Sequence, residues 1–135
     1  MEALIDTDII SYYLKGYENI RIKVEEYLLE HITLNLSSIT CYEVLSGLEY
    51  KQATRQINDF ELFINDCNII NISDKSIRLS EKVCAELRRK GIIVGNSDLL
   101  IAGIALEHNL TLIINNEKHF SEIANLNIDN WNKTK

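Results

Sequence analysis

Three acids and one amide stand where a parallel sheet would gather them: Asp6, Glu43, Asp98 and Asn116. Asp6 closes the apolar run Ala3-Leu4-Ile5, and Asn116 closes a second run, Leu110 to Ile114. Asp98 opens the apolar segment Leu99 to Leu106, and Glu43 lies just past the strand-like Thr33-Leu34-Asn35-Leu36. In open α/β sheets, ligands bind beyond the carboxyl ends of the strands. Residues that end strands or open the following helices therefore meet along one edge. Three acids brought together without a matching Lys or Arg repel one another. A hard divalent cation with oxygen ligands relieves that repulsion. The pattern reads as a metal-dependent enzyme.

Each residue also has a plainer explanation when taken alone. Asp6 could be a turn residue and Asp8 a helix cap. Glu43 could lie on a solvated helix face. Asp98 sits in the first turn of a helix, where the dipole stabilises an acid by about 0.3–1 kcal/mol. Asn115-Asn116 has the composition of a turn. The coincidence of all four at strand ends or helix starts is what favours a site.

The elements that must position them alternate between helix and strand. Residues 3–5 read as a strand. Thr7 or Asp8 can cap a helix that runs to Lys15 and stops at Gly16. A second helix covers 18–31, a strand 33–36, and Ser37-Ser38 favours entry into a helix over 39–50. A helix over 54–66 precedes a strand over 69–72. Ser73 caps an amphipathic helix with Ile77, Leu79, Val83, Cys84 and Leu87 on one face, ended by Gly91. Residues 98–108 are apolar all round, which marks a buried helix. Asn109 suits the position after it. A strand over 111–114, a short helix over 117–124 and an edge strand over 127–129 follow. This alternation predicts a three-layer α/β/α sandwich with a mostly parallel central sheet.

Composition narrows the class. The chain has 135 residues, 46% hydrophobic and 25% charged, which fits one domain spanning 1–135. No apolar stretch reaches the ~18 residues of a membrane span, and MEALIDTDII lacks the basic start of a signal peptide. Cys41, Cys67 and Cys84 form no CxxC pair, so they read as core thiols of a cytoplasmic protein. The net charge of −6 argues against bulk electrostatic binding of nucleic acid. It leaves room for a nuclease, whose bound ions neutralise part of it. Arg88-Arg89-Lys90 suits a helix C-terminus. Ile9, Ile10, Tyr12, Tyr13, Leu14 and Tyr17 are more apolar surface than one core face accommodates. They predict an interface, with a homodimer as the expected assembly.

The segments MEALIDTDIISYYLKG, SSITCYEVLSGL, GIIVGNSDLLIAGIAL and LIINNEKHFSEIANLNIDNW resemble, in order and spacing, the motif series of PIN-domain ribonucleases. Within that family they resemble most the VapC toxins of prokaryotic toxin–antitoxin pairs. The resemblance runs from the first strand to Trp131. It implies Mg²⁺- or Mn²⁺-dependent hydrolysis of RNA and a small VapB-like antitoxin seated near the first helices. It matches Asp6, Glu43 and Asp98 to the family's acidic metal-site residues, and Asn116 to a fourth position that is Asp or Asn in relatives. Asp6 and Asp98 are then expected to ligate directly, and Glu43 directly or through water. Asn116 is expected to orient. Thr7 matches a small hydroxyl residue beside the first acid, and Thr7 and Lys118 are placed with the substrate. His119 reads as a helix-start residue. Asp8 stands where relatives carry Asn or Ser, and Ile114 where many carry Thr.

Three other readings compete. Asp6-Thr7-Asp8 has the outline of the haloacid-dehalogenase nucleophile motif, although Ile9-Ile10 and the short chain fit it poorly. A receiver-like domain also clusters acids, but no lysine ends a late strand. A PIN-like module could hold RNA or a protein without cleaving it; three intact acids argue against that.

Overall fold

The computed structural model describes residues 1–133. Among them, five strands form one sheet in the order β3-β2-β1-β4-β5: β1 (Ala3–Ile5), β2 (Asn35–Ser37), β3 (Asn68–Ile70), β4 (Thr111–Ile113) and β5 (Ile128–Asp129). Every pairing is parallel. β1 is central, with Ile5 opposite Leu36 on one side and Ile113 on the other. The carboxyl ends of β1, β2 and β4 therefore share one edge, and Asp6 begins just beyond it.

The period-two alternation of strand side chains separates two cores. Leu4, Leu112 and Ile114 join Leu99, Ile101, Ile104 and Phe120 on one face. Ala3, Ile5, Leu36 and Ile113 join Ile9, Ile20, Val24 and Phe60 on the other. The second face carries α1 (Thr7–Leu14), α2 (Glu18–Glu30), α3 (Ser38–Tyr50) and α4 (Thr54–Asn65). The first carries α5 (Asp74–Arg89), α6 (Asn96–His108) and the short α7 (Glu117–Phe120). This is the expected α/β/α sandwich.

Several boundaries differ from the sequence reading. Asp6, not Thr7 or Asp8, is the N-cap of α1, because the strand passes directly into the helix. β2 begins at Asn35, and β3 covers 68–70 instead of 69–72. α6 starts two residues early at Asn96, so Asp98 lies inside its first turn. α7 ends at Phe120, well before 124. Ser73 does cap α5: its Oγ accepts from the Ser76 N–H at 3.0 Å, and Ser76 Oγ receives the Ser73 N–H at 2.8 Å. Asn109 follows α6 in the left-handed region, φ 53°, which asparagine tolerates.

Two predicted faces are corrected. α5 buries Ser76, Ser80, Val83 and Leu87, while Ile77, Leu79 and Cys84 are only half-buried. Gly103 explains the shift. A Cβ there would collide with Ser80 Oγ and the Ser76 carbonyl oxygen, so only glycine lets α6 come this close. Ser80 Oγ then donates within this contact, 2.8 Å from Leu99 O and 3.0 Å from Ser76 O. The apolar patch expected on the first helices is mostly internal. Ile9 and Ile10 are fully buried. Tyr12 stacks on Tyr17 with ring centroids 4.8 Å apart, and Tyr13 tilts against Phe63 at 5.7 Å. α1 is a two-turn helix wedged beside β1, so more of its circumference is covered than one face. Only Leu14 and Tyr17 keep sizeable exposure.

Candidate active site

Asp6 is the most confined of the candidate residues. Its N–H donates to Ile113 O at 2.9 Å, and its carbonyl accepts from the Ile10 N–H at 3.1 Å. Strand and helix bonds thus fix it between β4 and α1. Its side chain is only 5% exposed, and among the described residues Oδ1 is buried with no hydrogen-bond partner. Burial pushes its pKa up to about 7. The Thr7 N–H pulls it back, while the charges of Asp98, Asp8 and Glu43 push it further up. Those three repulsions place the acids in one electrostatic neighbourhood.

Glu43 is set from the buried side. Ser37 ends β2 and caps α3, accepting the Thr40 N–H at 3.0 Å. This turn places Glu43 in the second turn of α3, beside α1. There Thr7 Oγ1 donates to Glu43 Oε1 at 2.6 Å and lies 3.0 Å from Thr40 Oγ1.

Asp98 is set from the solvent side. Its carboxylate is half-buried in the first turn of α6, with Oδ2 3.4 Å from His119 Nδ1. Burial raises its pKa, the His119 contact lowers it, and Glu43 and Asp8 raise it. Asn116 is exposed, and its Nδ2 lies 3.3 Å from both ring nitrogens of His119. The amide is thus within hydrogen-bond reach of either ring nitrogen. The sequence places His119 as a helix-start residue; the structure joins it to Asp98. Its signal was its place one helical turn after Asn116. Lys118 is exposed and, among the described residues, joins no ion pair.

The loop carrying Asn116 is tied down from behind. Asn115 Nδ2 donates to Tyr12 OH at 3.4 Å, and its Oδ1 accepts from Asn132 Nδ2 at 3.0 Å. Asn130 Nδ2 reaches Asn115 O at 3.3 Å and Glu117 Oε2 at 3.2 Å. Trp131, between Asn130 and Asn132 in sequence, is buried in the second core with its ring centroid 5.8 Å from that of Tyr27. The segment after β5 therefore fixes the end of β4.

The donor set is hard oxygen, which suits Mg²⁺ or Mn²⁺ and suits Zn²⁺ poorly. The unpartnered buried oxygen of Asp6 is the atom a cation would satisfy. As they stand, though, no three His, Cys, Asp or Glu side chains among the described residues are gathered so that they could hold an ion between them. Glu43 is drawn toward Thr7 and Asp98 toward His119. Beside Glu43 a groove of about 400 Å³ opens between α1, α3 and α4, lined in part by Leu14, Val44, Gly47, Lys51 and Asp59.

Residues 3–126 match the family model described as PIN domain. Ribonuclease VapC2 of Rickettsia felis is 34% identical over 98% of this chain and all of its own length. The tRNA(fMet)-specific endonuclease VapC of Salmonella typhimurium is 30% identical, covering 97% of this chain and 98% of its own. The crystal structure of VapBC2 from Rickettsia felis bound to a promoter DNA fragment superposes with a TM-score of 0.89 at 32% identity, over 97% of this chain and 99% of that one.

Proposed function

Since the chain belongs to the PIN domain family, we propose that it is a metal-dependent endoribonuclease of a single domain, the toxin of a toxin–antitoxin pair. The observation that carries the catalytic reading is the buried, unpartnered oxygen of Asp6 at the carboxyl edge of the sheet, under repulsion from three further acids. Structural elements of no other purpose explain such an atom poorly, because an unsatisfied buried polar group costs about 1–3 kcal/mol.

Asp6 and Asp98 would hold Mg²⁺ or Mn²⁺, with Glu43 joining directly or through water. A cation there supplies Lewis-acid polarisation of a phosphate and eases ionisation of water near neutral pH. The chain's own residues do the rest. Asp6 is fixed by backbone bonds on both sides. Thr7 holds one oxygen of Glu43 and leaves Oε2 for ligation. Asn116, neutral and exposed, orients. Lys118, close by in α7, supplies positive charge toward the RNA backbone.

The antitoxin reading follows from the VapBC assembly in which the similar structure was determined. The groove between α1, α3 and α4 is where a peptide would reach Glu43. Among the described residues, no helix is long and apolar enough to cross a membrane.

The test is cleavage of RNA in Mn²⁺ and in EDTA, with calorimetry of Mn²⁺ on the wild type and on Asp98→Asn. Cleavage lost in EDTA and weakened binding by the variant are expected. Equal Mn²⁺ binding by both proteins would overturn the metal site. The spread of the acids favours a second reading, a PIN-like module that binds RNA without cutting it. RNA binding with no cleavage at saturating Mn²⁺ would establish that reading instead.

A further inference from the structure

We propose that Thr40 is a positioning residue, holding Glu43 in place through Thr7 by a one-way line of hydroxyl protons that starts at Ser37. The proposal rests on the metal-dependent reading of the same site. Ser37 and Thr40 are both fully buried; the sequence marks Ser37 only as a helix-entry residue and gives no signal for Thr40. Ser37 Oγ donates to Thr40 Oγ1 at 3.3 Å, Thr40 Oγ1 lies 3.0 Å from Thr7 Oγ1, and Thr7 Oγ1 donates to Glu43 Oε1 at 2.6 Å.

The direction of the line follows from counting protons. A hydroxyl has one proton to give. A carboxylate can only accept, so the Thr7 proton is committed to Glu43. The bond between the two threonines must then be donated by Thr40. Thr40, having given its proton, accepts from Ser37. Ser37 Oγ in turn accepts the Thr40 N–H at 3.0 Å, so the capping turn of α3 fixes the source of the line. Every proton points the same way, toward the carboxylate.

The arrangement has a chemical purpose that a Lys or Arg could not serve. A cationic side chain would also hold Glu43, but it would neutralise it and compete with an incoming ion. Neutral hydroxyls restrain the carboxylate and leave its charge available. The line also spans three elements. Thr7 is on α1 next to Asp6, and Thr40 and Glu43 are on α3, so it fixes the spacing between Asp6 and Glu43. Partners behind a metal ligand typically change affinity by about 10–100-fold when removed. Thr40 acts one bond further back and should contribute less.

The experiment is calorimetric titration of Mn²⁺ into wild type, T7V, T40V, T40S and the double variant T7V/T40V, with thermal unfolding of each measured without metal. We expect Kd to rise about 10-fold in T7V and about 3-fold in T40V, with T40S close to wild type because the hydroxyl is kept. In the T7V background the line is already cut, so T40V should add little; this non-additivity is the signature of action through Thr7. T40A replaces T40V in the same comparison if the valine does not fold. A lower unfolding temperature with unchanged Mn²⁺ affinity in T40V would overturn the proposal and make Thr40 a packing residue. An equal loss from T40V in both backgrounds would also overturn it. A wild type that binds no Mn²⁺ would instead overturn the metal-site reading beneath it.

Discussion

The two flanks of the site hold their acids by different means. On the α3 flank, Glu43 is held by neutral hydroxyls rooted in buried Ser37 and Thr40. On the α6 flank, Asp98 faces an imidazole that is itself nearly half exposed, beside an exposed amide. The first arrangement spends no counter-charge. The second places a nitrogen 3.4 Å from an oxygen of Asp98, where it would compete with a cation for that oxygen. Buried hydrogen bonds are strong and geometrically demanding, whereas exposed polar contacts are weak and readily exchanged with water. One flank is therefore preorganised, and the other is adjustable. Asp6, between them, belongs to neither: its backbone is fixed and its Oδ1 is unpartnered.

The largest expected effect removes the central acid or the acid of the adjustable flank. Asp6→Ala and Asp98→Ala should each lower RNA cleavage on the order of 10³-fold or more, as losing one member of a concerted site does. Initial rates against Mn²⁺ concentration test this. If Asp98→Ala retained cleavage within tenfold at saturating Mn²⁺, the adjustable flank would be dispensable, and the comparison would collapse to a single anchored pair.

A second prediction isolates Asp6 through pH. Its folded-state pKa is raised from 3.8 to about 7. An acid whose pKa rises on folding stabilises the fold while protonated. That contribution is complete below about pH 4 and is lost as pH rises toward 7. Three pKa units set an upper bound of about 4 kcal/mol. Metal-free protein should therefore unfold at lower denaturant concentration at pH 7.5 than at pH 5.5. Asp98 is shifted in the same direction and adds to the slope. Asp6→Asn should flatten most of it, and saturating Mn²⁺ should flatten it in the wild type. A slope unchanged in Asp6→Asn would show that the raised, burial-driven pKa does not reside at Asp6.

Asn116 should matter less. Asn116→Ala is expected to slow cleavage about 10-fold while Mn²⁺ affinity stays close to wild type, because a neutral amide orients more than it binds. Asn116→Asp should tighten Mn²⁺ binding by adding a charge. If Asn116→Ala were as inactive as Asp98→Ala at saturating Mn²⁺, Asn116 would be essential, and the α6 flank would be less adjustable than its exposure indicates.

What could be read from the sequence follows the range of the interactions. Asp6, Asp98 and Asn116 lie at the ends of apolar runs, a local signal, and parallel topology then brings them to one edge. The capping of α5 by Ser73 and the turn at Asn109 are equally local. The hydroxyl line was not legible, because Thr7 and Thr40 meet only when α1 and α3 lie side by side. His119 was undervalued for the same reason: its partner comes from a different helix. The tyrosines of α1 were misjudged because hydropathy does not reveal that Phe63 of α4 and Tyr17 would cover them. The burial of Ser76 and Ser80 depends on Gly103 of a different helix, a contact that the pattern along α5 does not carry.

The smallest predicted effect is the one that sharpens the comparison most, because it has the opposite sign. Removing a holder on the α3 flank should weaken Mn²⁺ binding, since Thr7 restrains Glu43 without competing for the ion. Removing His119 should not. Its Nδ1 lies 3.4 Å from Asp98 Oδ2, so a cation approaching that oxygen must displace the contact or share it. The contact is partly exposed and contributes at most ~1 kcal/mol, which bounds the change at about fivefold. His119→Ala should therefore bind Mn²⁺ as tightly as wild type or up to that much more tightly. Cleavage should change modestly, since Asn116 loses the ring it rests against. Calorimetry of Mn²⁺ on His119→Ala beside T7V reads both flanks in one experiment. If His119→Ala weakened Mn²⁺ binding as much as T7V does, the imidazole would be orienting Asp98 toward the ion, and the two flanks would be anchored alike.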